Sequence, residues 1–497
     1  MTHADLLSKR SRCLLLGAKG AGMTALADIL IDAGHSVVGM DNSVTPEQAA
    51  SFSSAAFRCN TPDEPQQKLQ VLPWNSGLID ATRFDLCVAS PAIPRSDAVP
   101  AKLLAAGVSV ISLHECLAAV FADTQQICVA GTHGKSTTTA MLSWILDHNL
   151  YRPGFFVGAE QPNFGCSGRF TESRWAVIES CEFLQSFRHL QPQIVVLTGI
   201  ERDHFDCFPE QQSEDAAFQQ FVQQLPSNGK LVLRNDCVRS RQAAASVNAA
   251  TMTFGVADAE RQASGVSQKA DVLATQVKTS GTTSTFRCTF AEEAATVRLN
   301  VPGRHNVQNA VAAIAAAISA GVSLRDSCFA LASFSGIRRR FENRGQYNGI
   351  TLIDDYAHHP TAIQETITTA RQAFPGRRIL VAFEPHQLIR TQSLFPQFVQ
   401  SLSAADEVLL LPVFPARETA THLECCRASG RLVKALNQAN AQNQGGVKAF
   451  LFANLDQIVS RVDHSGRPSD IFLTMGAGRT NIIHDQFNRR LQRNFVA

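Results

Sequence analysis

A short apolar strand that runs through a glycine-bracketed turn into a helix restricts the fold of this sequence more than any other feature. Residues 127–130 read as the strand and residues 131–134 (Gly-Thr-His-Gly) as the turn, and Lys135 and Ser136 open a helical pattern. Small residues let backbone N–H groups surround phosphate oxygens, and the new helix directs its positive end at them. Lys135 can balance the charge of a terminal phosphate, and the hydroxyl of Ser136 can bind Mg²⁺.

The pattern departs from the standard phosphate loop at one position, because Val129 stands where that loop has glycine. An ordinary glycine-rich turn between a strand and a helix is the alternative interpretation. Strand, glycines, Lys-Ser and helix follow one another in the order that phosphate binding requires, which favours a phosphate loop.

Length and composition limit the class of protein. At 497 residues and 45% hydrophobic content the chain is too long for one core, and about three domains are expected. The net charge of +2 is too small to indicate a nucleic-acid-binding surface. The sequence has no apolar run that is long enough to span a bilayer. The first residues lack the features of a signal peptide, and the 13 cysteines include no Cys-x-x-Cys pair. These observations favour a protein of the reducing cytoplasm.

Strands that alternate with helices predict an α/β protein with three domains, at residues 1–118, 119–335 and 336–497. The first begins with a strand at 13–16, a glycine turn at 17–22 and an acid, Asp41, at the end of the second strand. This is similar to a dinucleotide fingerprint, although Lys19 occupies the position of the second glycine. The first and third domains are therefore predicted to be Rossmann-like, and the central one to be a phosphate-loop domain with a small antiparallel section at 270–299.

Polar side chains stand where the predicted strands end, and in open α/β sheets ligands bind at that edge. Glu179 ends one central strand and His204 follows the next, so both could approach the Ser136 hydroxyl and hold Mg²⁺. A solvated strand end and a surface histidine are the alternatives. In the third domain, the basic cluster Arg338-Arg339-Arg340-Phe341 could form a solvated face or could reach a γ-phosphate as arginine fingers do. Residues 354–360 (Asp-Asp-Tyr-Ala-His-His-Pro) could be a polar helix start, but capping does not require a pair of histidines.

Six motifs together make the chain resemble the Mur ligases, the ATP-dependent amide-forming enzymes of peptidoglycan precursor synthesis. The resemblance covers residues 17–478, and the motifs are Gly131-Thr132-His133-Gly134-Lys135-Ser136-Thr137, Glu179, Asp203-His204, the run 303–310, Arg339-Arg340-Phe341 and the run 354–360. Within the family it is closest to the branch that adds L-alanine to UDP-N-acetylmuramate. The runs Phe383-Glu384-Pro385-His386 and Arg390-Thr391 are shared by that branch and by the ligases that recycle a murein tripeptide.

The resemblance implies a role for each domain and for particular residues. ATP would bind the central domain, through residues 131–137 together with His305, Asn309 and Arg340. The UDP-sugar would bind through Gly20, Ala21, Gly22, Asp41 and Ser90. The pocket for the sugar nucleotide and the amino acid would be shaped by the substrate-binding residues Tyr356, His358, His386 and Arg390. Two Mg²⁺ ions would be held by Ser136, Glu179 and His204. The implied catalytic residues are Lys135, Arg340 and His358.

The implied chemistry is the transfer of the ATP γ-phosphoryl group to the muramyl carboxylate, followed by attack of the amine of L-alanine on the acyl phosphate. Lys135 and Arg340 would screen the approaching anions, and His358 is a candidate for the proton acceptor. The partners implied are thus UDP-N-acetylmuramate, L-alanine and ATP, without nucleic acid or membrane insertion.

The chain departs from the family pattern at several positions. The family stretch Glu-Ala-Asp-Glu-Ser-Asp reads Glu179-Ser180-Cys181-Glu182-Phe183-Leu184, and Gln387 and Glu384 replace an Arg and a Gln beside His386. Three alternatives therefore stay open: a ligase for a preformed tripeptide, a nucleotide-binding module without turnover, and an NAD-dependent oxidoreductase that uses residues 17–41.

Overall fold

The chain folds as an α/β protein with three sheets, which confirms the predicted fold class. A computed structural model describes residues 6–7, 9–45, 69–74, 79–257, 269–442 and 446–496. Each sheet falls inside one of the three predicted ranges. Helix α3 (Leu113–Val120) runs across residue 118, and the boundaries at 118 and 335 stay a prediction. Within the described ranges, no helix is long and apolar enough to cross a membrane.

The first sheet is parallel and, in the described part of the chain, has the order β3-β2-β1-β4-β5. A glycine turn leads from β1 to α1, as expected for a Rossmann-like domain. Its elements are β1 (Arg12–Leu16), α1 (Ala21–Asp32), β2 (Ser36–Asp41), β3 (Gln70–Pro73), β4 (Leu86–Ala89), α2 (Ala98–Ala105) and β5 (Ser109–Ser112), followed by α3.

The central sheet carries the phosphate loop between β6 and α4. Over the residues described, its order is β15-β14-β13-β12-β11-β10-β6-β9-β7-β8. Its elements are β6 (Gln125–Ala130), α4 (Lys135–His148), β7 (Gly154–Gln161), β8 (Cys166–Arg169), β9 (Trp175–Glu179), β10 (Pro192–Leu197), α5 (Gln211–Val222), β11 (Lys230–Arg234), α6 (Val238–Ala244), β12 (Ala250–Val256), β13 (Val272–Ser280), β14 (Thr283–Phe290), β15 (Glu293–Leu299), α7 (Arg304–Ser319) and α8 (Leu324–Leu331).

The pairing of the central sheet decides where its polar side chains meet. Strand β6 pairs in parallel with both β10 and β9, so the carboxyl ends of all three strands lie at one edge. The antiparallel ladder predicted at 270–299 is formed by β13, β14 and β15. The alanine-rich α7 is buried along most of its length and contacts α4, which supports the phosphate loop from behind.

The third sheet is parallel except at one edge, with the order β16-β17-β21-β18-β19-β20 among the described strands. Strand β16 pairs antiparallel to β17. Its elements are β16 (Glu342–Tyr347), β17 (Ile350–Asp355), α9 (Pro360–Ala373), β18 (Ile379–Phe383), α10 (Leu388–Ser393), α11 (Phe395–Leu402), β19 (Glu407–Leu410), α12 (His422–Gln442), β20 (Lys448–Leu451), α13 (Leu455–Ser465), β21 (Ile471–Met475) and α14 (Ile482–Val496).

Candidate active site

The turn between β6 and α4 has the geometry of an anion-binding loop. Gly131 and Gly134 have φ angles of 128° and 80°, a region that L side chains rarely adopt. A Cβ atom on Gly134 would collide with the amide group of Asn309, so Asn309, which the resemblance assigned to the nucleotide, lies against the phosphate loop. Gly134 precedes α4 without a capping side chain, so the first N–H groups of this helix stay available to phosphate oxygens.

The predicted pair of oxygen ligands comes together at the edge of the sheet. The hydroxyl of Ser136 donates to Oε1 of Glu179 at 2.8 Å, and the backbone N–H of Gly158 donates to Oε2 at 2.6 Å. Glu179 ends β9 and Ser136 lies in the first turn of α4, so the parallel β6–β9 pairing produces the contact. A hydroxyl and a carboxylate are hard oxygen donors, which fit Mg²⁺.

Lys135 is held by a carboxylate to which the sequence analysis gave no role. Its Nζ lies 2.9 Å from Oε2 of Glu182 and donates to the carbonyl of Gly131 at 2.5 Å. Burial alone would lower the pKa of Lys135, but Glu182 holds it above its ordinary value. Burial would likewise raise the pKa of Glu182, whereas Lys135 and His204 hold it at about 2. Both groups are therefore charged at neutral pH.

His204 follows β10 and lies beside the same carboxylate. Its Nε2 is 3.5 Å from Oε1 of Glu182, and one ring face contacts Phe183 with 5.5 Å between ring centroids. Burial opposes the charged form of His204, but Glu182 and Asp203 raise its pKa. The structure thus brings His204 and Lys135 to one acidic residue.

Arg340, for which the resemblance implied a contact with the γ-phosphate, reaches from the third domain to the phosphate loop. Its Nη2 lies 3.4 Å from Oγ of Ser136, and its guanidinium lies 4.9 Å from the ring centroid of Tyr356. Asp355 fixes the approach, because its carboxylate accepts from the backbone N–H groups of Phe341 and Ala357. A cation is therefore positioned where the charge of a transferred phosphoryl group would develop.

A second group of predicted residues, His358, His386 and Arg390, lies deeper between the central and third domains. Arg390 is 2% exposed, and its Nε donates to Oδ1 of Asp203 at 2.7 Å. Its Nη1 lies 3.2 Å from Nδ1 of His386. The rings of His358 and His386 are 6.1 Å apart, and that of His358 is 5.2 Å from Tyr356. The predicted amino-acid pocket residues are therefore neighbours.

The imidazoles of this group are neutral at physiological pH. Burial and the nearby guanidinium of Arg390 lower the pKa of His386 to about 4 and hold the pKa of His358 well below its usual range. His358 Nδ1 lies 2.9 Å from the carbonyl oxygen of Tyr356, and a carbonyl only accepts. The neutral ring therefore carries its proton on Nδ1 and keeps the lone pair of Nε2.

Two of the remaining predicted nucleotide ligands, His305 and His133, contact the third domain. Nδ1 of His305 lies 3.7 Å from Glu365 in α9, and Nε2 of His133 lies 3.4 Å from Glu201. The rings of His133 and His359 are 4.7 Å apart. Thr132 is tied to the loop after β10, since its hydroxyl accepts from the N–H of Glu201 at 2.8 Å. Thr137 is buried in α4.

A separate cavity of about 390 Å³ opens at the carboxyl edge of the first sheet. Gly20, Asp41 and Ser90, three of the predicted substrate residues, line it together with Trp74 and Ile93. Ala21 and Gly22 begin α1, where Gly22 faces the side chain of Leu113. The structure thus places the glycine turn and the acid at one pocket and gives Gly22 a packing role.

Sequence reasoning missed several residues of the central cleft. Glu182 was noted only as a member of an altered stretch, yet it pairs with Lys135. Asp203 was quoted with His204 and given no role, although it is the buried partner of Arg390. The signal for both was their sequence position, directly after two central strands that meet at one edge.

A phosphate loop that faces a guanidinium from a third domain defines a multidomain enzyme that binds nucleotide phosphates. Family models for the Mur ligase middle domain and for the Mur ligase glutamate ligase domain match residues 129–317 and 339–478. The chain belongs to the Mur ligase family.

Curated relatives and solved structures cover nearly the whole chain. The UDP-N-acetylmuramate–L-alanine ligase of Desulfitobacterium hafniense is 32% identical, over 93% of this chain and 96% of the relative. That of Roseiflexus castenholzii is 33% identical, over 93% and 94%. The crystal structure of the Thermotoga maritima UDP-N-acetylmuramate–alanine ligase has a TM-score of 0.77 at 22% identity, covering 98% and 100%. A murein peptide ligase of Psychrobacter arcticus has a TM-score of 0.67 at 26% identity, covering 96% and 98%.

Proposed function

We propose that this protein is an ATP-dependent ligase that joins L-alanine to the lactyl carboxylate of UDP-N-acetylmuramate and releases ADP and phosphate. The observation that carries the proposal is the contact of Arg340 with Ser136, because it places a third-domain cation at the phosphate loop. The two curated relatives reported above are named for this activity, and almost their entire length aligns with this chain. The reaction supplies a peptidoglycan precursor.

The residues present fit a divalent metal beside the phosphates. Ser136 and Glu179 would hold one Mg²⁺, because both present oxygens that now share a single hydrogen bond. His204 would serve a second ion. Bound Mg²⁺ would neutralise negative charge on the phosphoryl group during its transfer.

The phosphate loop and two cations would prepare the first step. The N-terminus of α4 and Lys135 bind the phosphate oxygens, and Arg340 balances their charge from the opposite wall of the cleft. The lactyl carboxylate then attacks the γ-phosphorus, the bond to ADP breaks, and an acyl phosphate forms. Lys135 would turn part of its hydrogen bonding from Glu182 to the phosphate oxygens. Its ammonium has three N–H donors, so it can contact the carboxylate and a phosphate at the same time.

The amine of L-alanine would attack the acyl carbonyl in the second step, with phosphate as the leaving group. Nε2 of His358 keeps its lone pair, so it can accept a hydrogen bond from the amine or take its proton. The low pKa of His358 makes the ring a weak proton acceptor, which suits positioning of the amine more than full deprotonation. Closure of the third domain on the central one would keep water away from the acyl phosphate.

The cavity of the first domain would take the UDP part of the sugar nucleotide. Asp41 already accepts from the N–H of Lys19 and the hydroxyl of Ser43, which fixes its carboxylate at the pocket wall. The glycine turn at Gly20 allows a diphosphate to approach the backbone. The resident polar groups thus match a nucleotide, and the neighbouring Trp74 offers a ring for stacking.

The test is a product assay with ATP, Mg²⁺ and UDP-N-acetylmuramate, in which L-alanine or the tripeptide L-Ala-γ-D-Glu-meso-diaminopimelate is added in separate tubes. We expect phosphate release with L-alanine and a product heavier by one alanyl residue. Release with the tripeptide alone would assign the protein to recycling. ATP binding without release in either tube would overturn the ligase proposal in favour of a binding module, and hydride transfer to NAD would favour an oxidoreductase.

A matched variant links this activity to the site. Glu179→Gln keeps the size of the side chain and its bond to Gly158 while it removes the charge, so phosphate release should fall by about 10²–10³. Glu160→Gln, on the exposed end of β7, is the control and should retain the wild-type rate. Glycine and L-serine tubes would report the amino-acid preference.

A further inference from the structure

Three side chains of different chemistry converge beside Lys135. Cys181, Glu182 and His204 each offer one ligand atom, and these atoms all lie within 4.8 Å of one another. Cys181 and Glu182 follow β9 and His204 follows β10, so the parallel sheet brings the two loops together. The group is separate from the oxygen pair formed by Ser136 and Glu179.

The spacing of the ligand atoms suits a small transition-metal ion. Nε2 of His204 and Oε1 of Glu182 are 3.5 Å apart. With metal–nitrogen bonds of about 2.0–2.1 Å and metal–sulfur bonds of about 2.3 Å, the edges of a tetrahedron are roughly 3.3–3.6 Å long. A small inward movement of the thiol would complete three corners and leave the fourth open to a substrate oxygen or water.

The donor set differs in chemistry from a magnesium site. Thiolate and imidazole are soft or borderline ligands that select zinc and cobalt, whereas Mg²⁺ prefers carboxylate, carbonyl and water oxygens. One carboxylate oxygen is the single hard donor here. Cys181 stands where the family pattern has an acid, so a soft donor occupies this position.

The surroundings tolerate a cation in spite of Lys135. The ammonium lies closer to Oε2 of Glu182 (2.9 Å) than to Oε1 (3.2 Å), which leaves Oε1 facing His204. Nδ1 of His204 is buried without a hydrogen-bond partner. The ring of Phe183 covers His204, and the guanidinium of Arg417 lies 4.0 Å from the Phe183 centroid, so one side of the group is shielded from water.

We propose that Cys181, Glu182 and His204 form a cation site that binds Zn²⁺ or Co²⁺ in preference to Mg²⁺. Binding forms a metal–sulfur bond and a metal–nitrogen bond, and the S–H proton of Cys181 and any proton on Nε2 of His204 leave to solvent, without oxidation or reduction. The inference refines the second metal position of the proposed ligase. It rests on that function only for its biological use, since the site needs neither nucleotide nor turnover.

Titration of the full-length protein with Co²⁺, without nucleotide, tests the site directly. A thiolate ligand produces a near-ultraviolet charge-transfer band that an oxygen-only site such as Ser136–Glu179 does not give. We expect this band to appear on titration, to be abolished by Zn²⁺, and to persist in a large excess of Mg²⁺. Absence of the band, or its loss on addition of Mg²⁺, would overturn the proposal.

Variants assign the band to this cluster. Cys181→Ser should remove it, and His204→Gln should weaken cobalt binding by at least about tenfold. Cys207→Ser changes another partly exposed thiol three residues beyond His204, and Cys426→Ser removes the thiol that contacts His422 at 3.4 Å. Both controls should keep the band, and loss of the band in either would contradict the assignment.

Melting temperatures of all four variants report whether the fold is retained. The cobalt result is independent of the ligase assay, so failure of one can be told from failure of the other.

Discussion

Arg340 is the single residue that connects the third domain to the reacting phosphates in the proposed mechanism. Because its guanidinium lies 3.4 Å from the Ser136 hydroxyl, we expect it to stabilise charge that develops during phosphoryl transfer. We expect Arg340→Ala to lower kcat by about 10²–10³, with a much smaller change in KM for ATP. Steady-state phosphate release at varied ATP measures both constants.

The neighbouring Arg338 offers a matched control for that loss. It is about half exposed and pairs with the exposed Glu160 and with the mostly buried Glu342. Arg338→Ala should therefore change kcat by less than about twofold, because ion pairs of a half-exposed arginine contribute little. Equal losses in the two variants would show that the basic run acts through stability or bulk charge, and Arg340 would have no special role.

His114 is a buried titratable group in α3 to which the proposed mechanism gives no role. Burial, assisted by the charge of His189, lowers the pKa of His114 to about 4, and neither ring nitrogen has a hydrogen-bond partner. The unfolded state therefore binds more protons below its pKa of about 6.5. The contribution of His114 to the free energy of unfolding is therefore fully present above pH 6.5. It falls by about 3 kcal/mol in total as the pH is lowered toward 4.

We expect His114→Leu to abolish this part of the acid sensitivity. Urea unfolding at several pH values should show a constant difference in the free energy of unfolding between variant and wild type above pH 7. Below pH 6.5 this difference should shift progressively in favour of the variant. A constant difference from pH 7 to pH 4 would mean that the ring is solvated in the folded state.

Residue types at strand and helix ends indicated which side chains meet. The structure brings Ser136, Glu179 and Arg340 together, and each lies at or beside the end of a regular element that its own residue pattern indicates, while their roles in catalysis stay predictions. The Lys135–Glu182 pair was not foreseen, because the chain after β9 makes a 3₁₀ turn over Phe183–His189 in which Leu184 and Gln185 have positive φ. No periodicity signals such a turn.

This 3₁₀ turn is one of the strained elements of the cleft. Leu184 has a φ of 52° and is 59% exposed, so a bulky side chain occupies a left-handed conformation without burying its surface. Leu184→Gly should raise the free energy of unfolding by about 0.5–1 kcal/mol, because glycine adopts this region without steric cost. Urea unfolding followed by circular dichroism measures the change.

An equally exposed leucine in a helix gives the opposite expectation. Leu423 is 58% exposed in the first turn of α12. Leu423→Gly should lower the free energy of unfolding by up to about 1 kcal/mol, because glycine gains freedom in the unfolded chain. If both substitutions destabilise to the same extent, the turn at Leu184 carries no strain.

Elements with their own periodicity were predictable, and those that depend on a partner were not. Strands β6, β9, β10 and β17 are buried apolar runs that any reading of the sequence identifies. Strand β16 reads Glu-Asn-Arg-Gly-Gln-Tyr and β8 Cys-Ser-Gly-Arg, and both exist because a neighbour supplies antiparallel hydrogen bonds. Such edge strands are set by tertiary pairing and leave little local signal.

The arrangement of the whole molecule depends on contacts between domains that the sequence did not indicate. Asp203 and Arg390 form a buried ion pair across the central and third domains, and Asp206 and Arg417 form a partly exposed one nearby, at 2.8 Å. Gln387, one of the departures from the family pattern, donates to the same Asp206. Domain order was predictable from repeated strand–helix alternation, whereas these contacts depend on how the domains dock.

The buried pair should contribute far more to docking than the exposed one. Arg390→Met leaves the Asp203 carboxylate buried without its cation, which costs about 3–5 kcal/mol, whereas Arg417→Met should cost less than about 1 kcal/mol. Arg390 holds the pKa of Asp203 well below its usual range against the effect of burial. The stabilisation is therefore present above the unfolded pKa of about 4 and is lost only as the pH falls through the lower folded value.

A double-mutant cycle with Asp203→Asn separates this coupling from general damage. We expect the double variant Asp203→Asn/Arg390→Met to be less destabilised than the sum of the two single variants, by about 2 kcal/mol or more, because neither partner is then left charged and alone. Calorimetry should show the third domain unfolding earlier in each single variant, since the loss lies at its contact with the central domain. Additive effects in the cycle would mean that Asp203 and Arg390 stabilise the two domains independently, and closure of the cleft would then have to depend on other contacts, such as that of Arg340 with the phosphate loop.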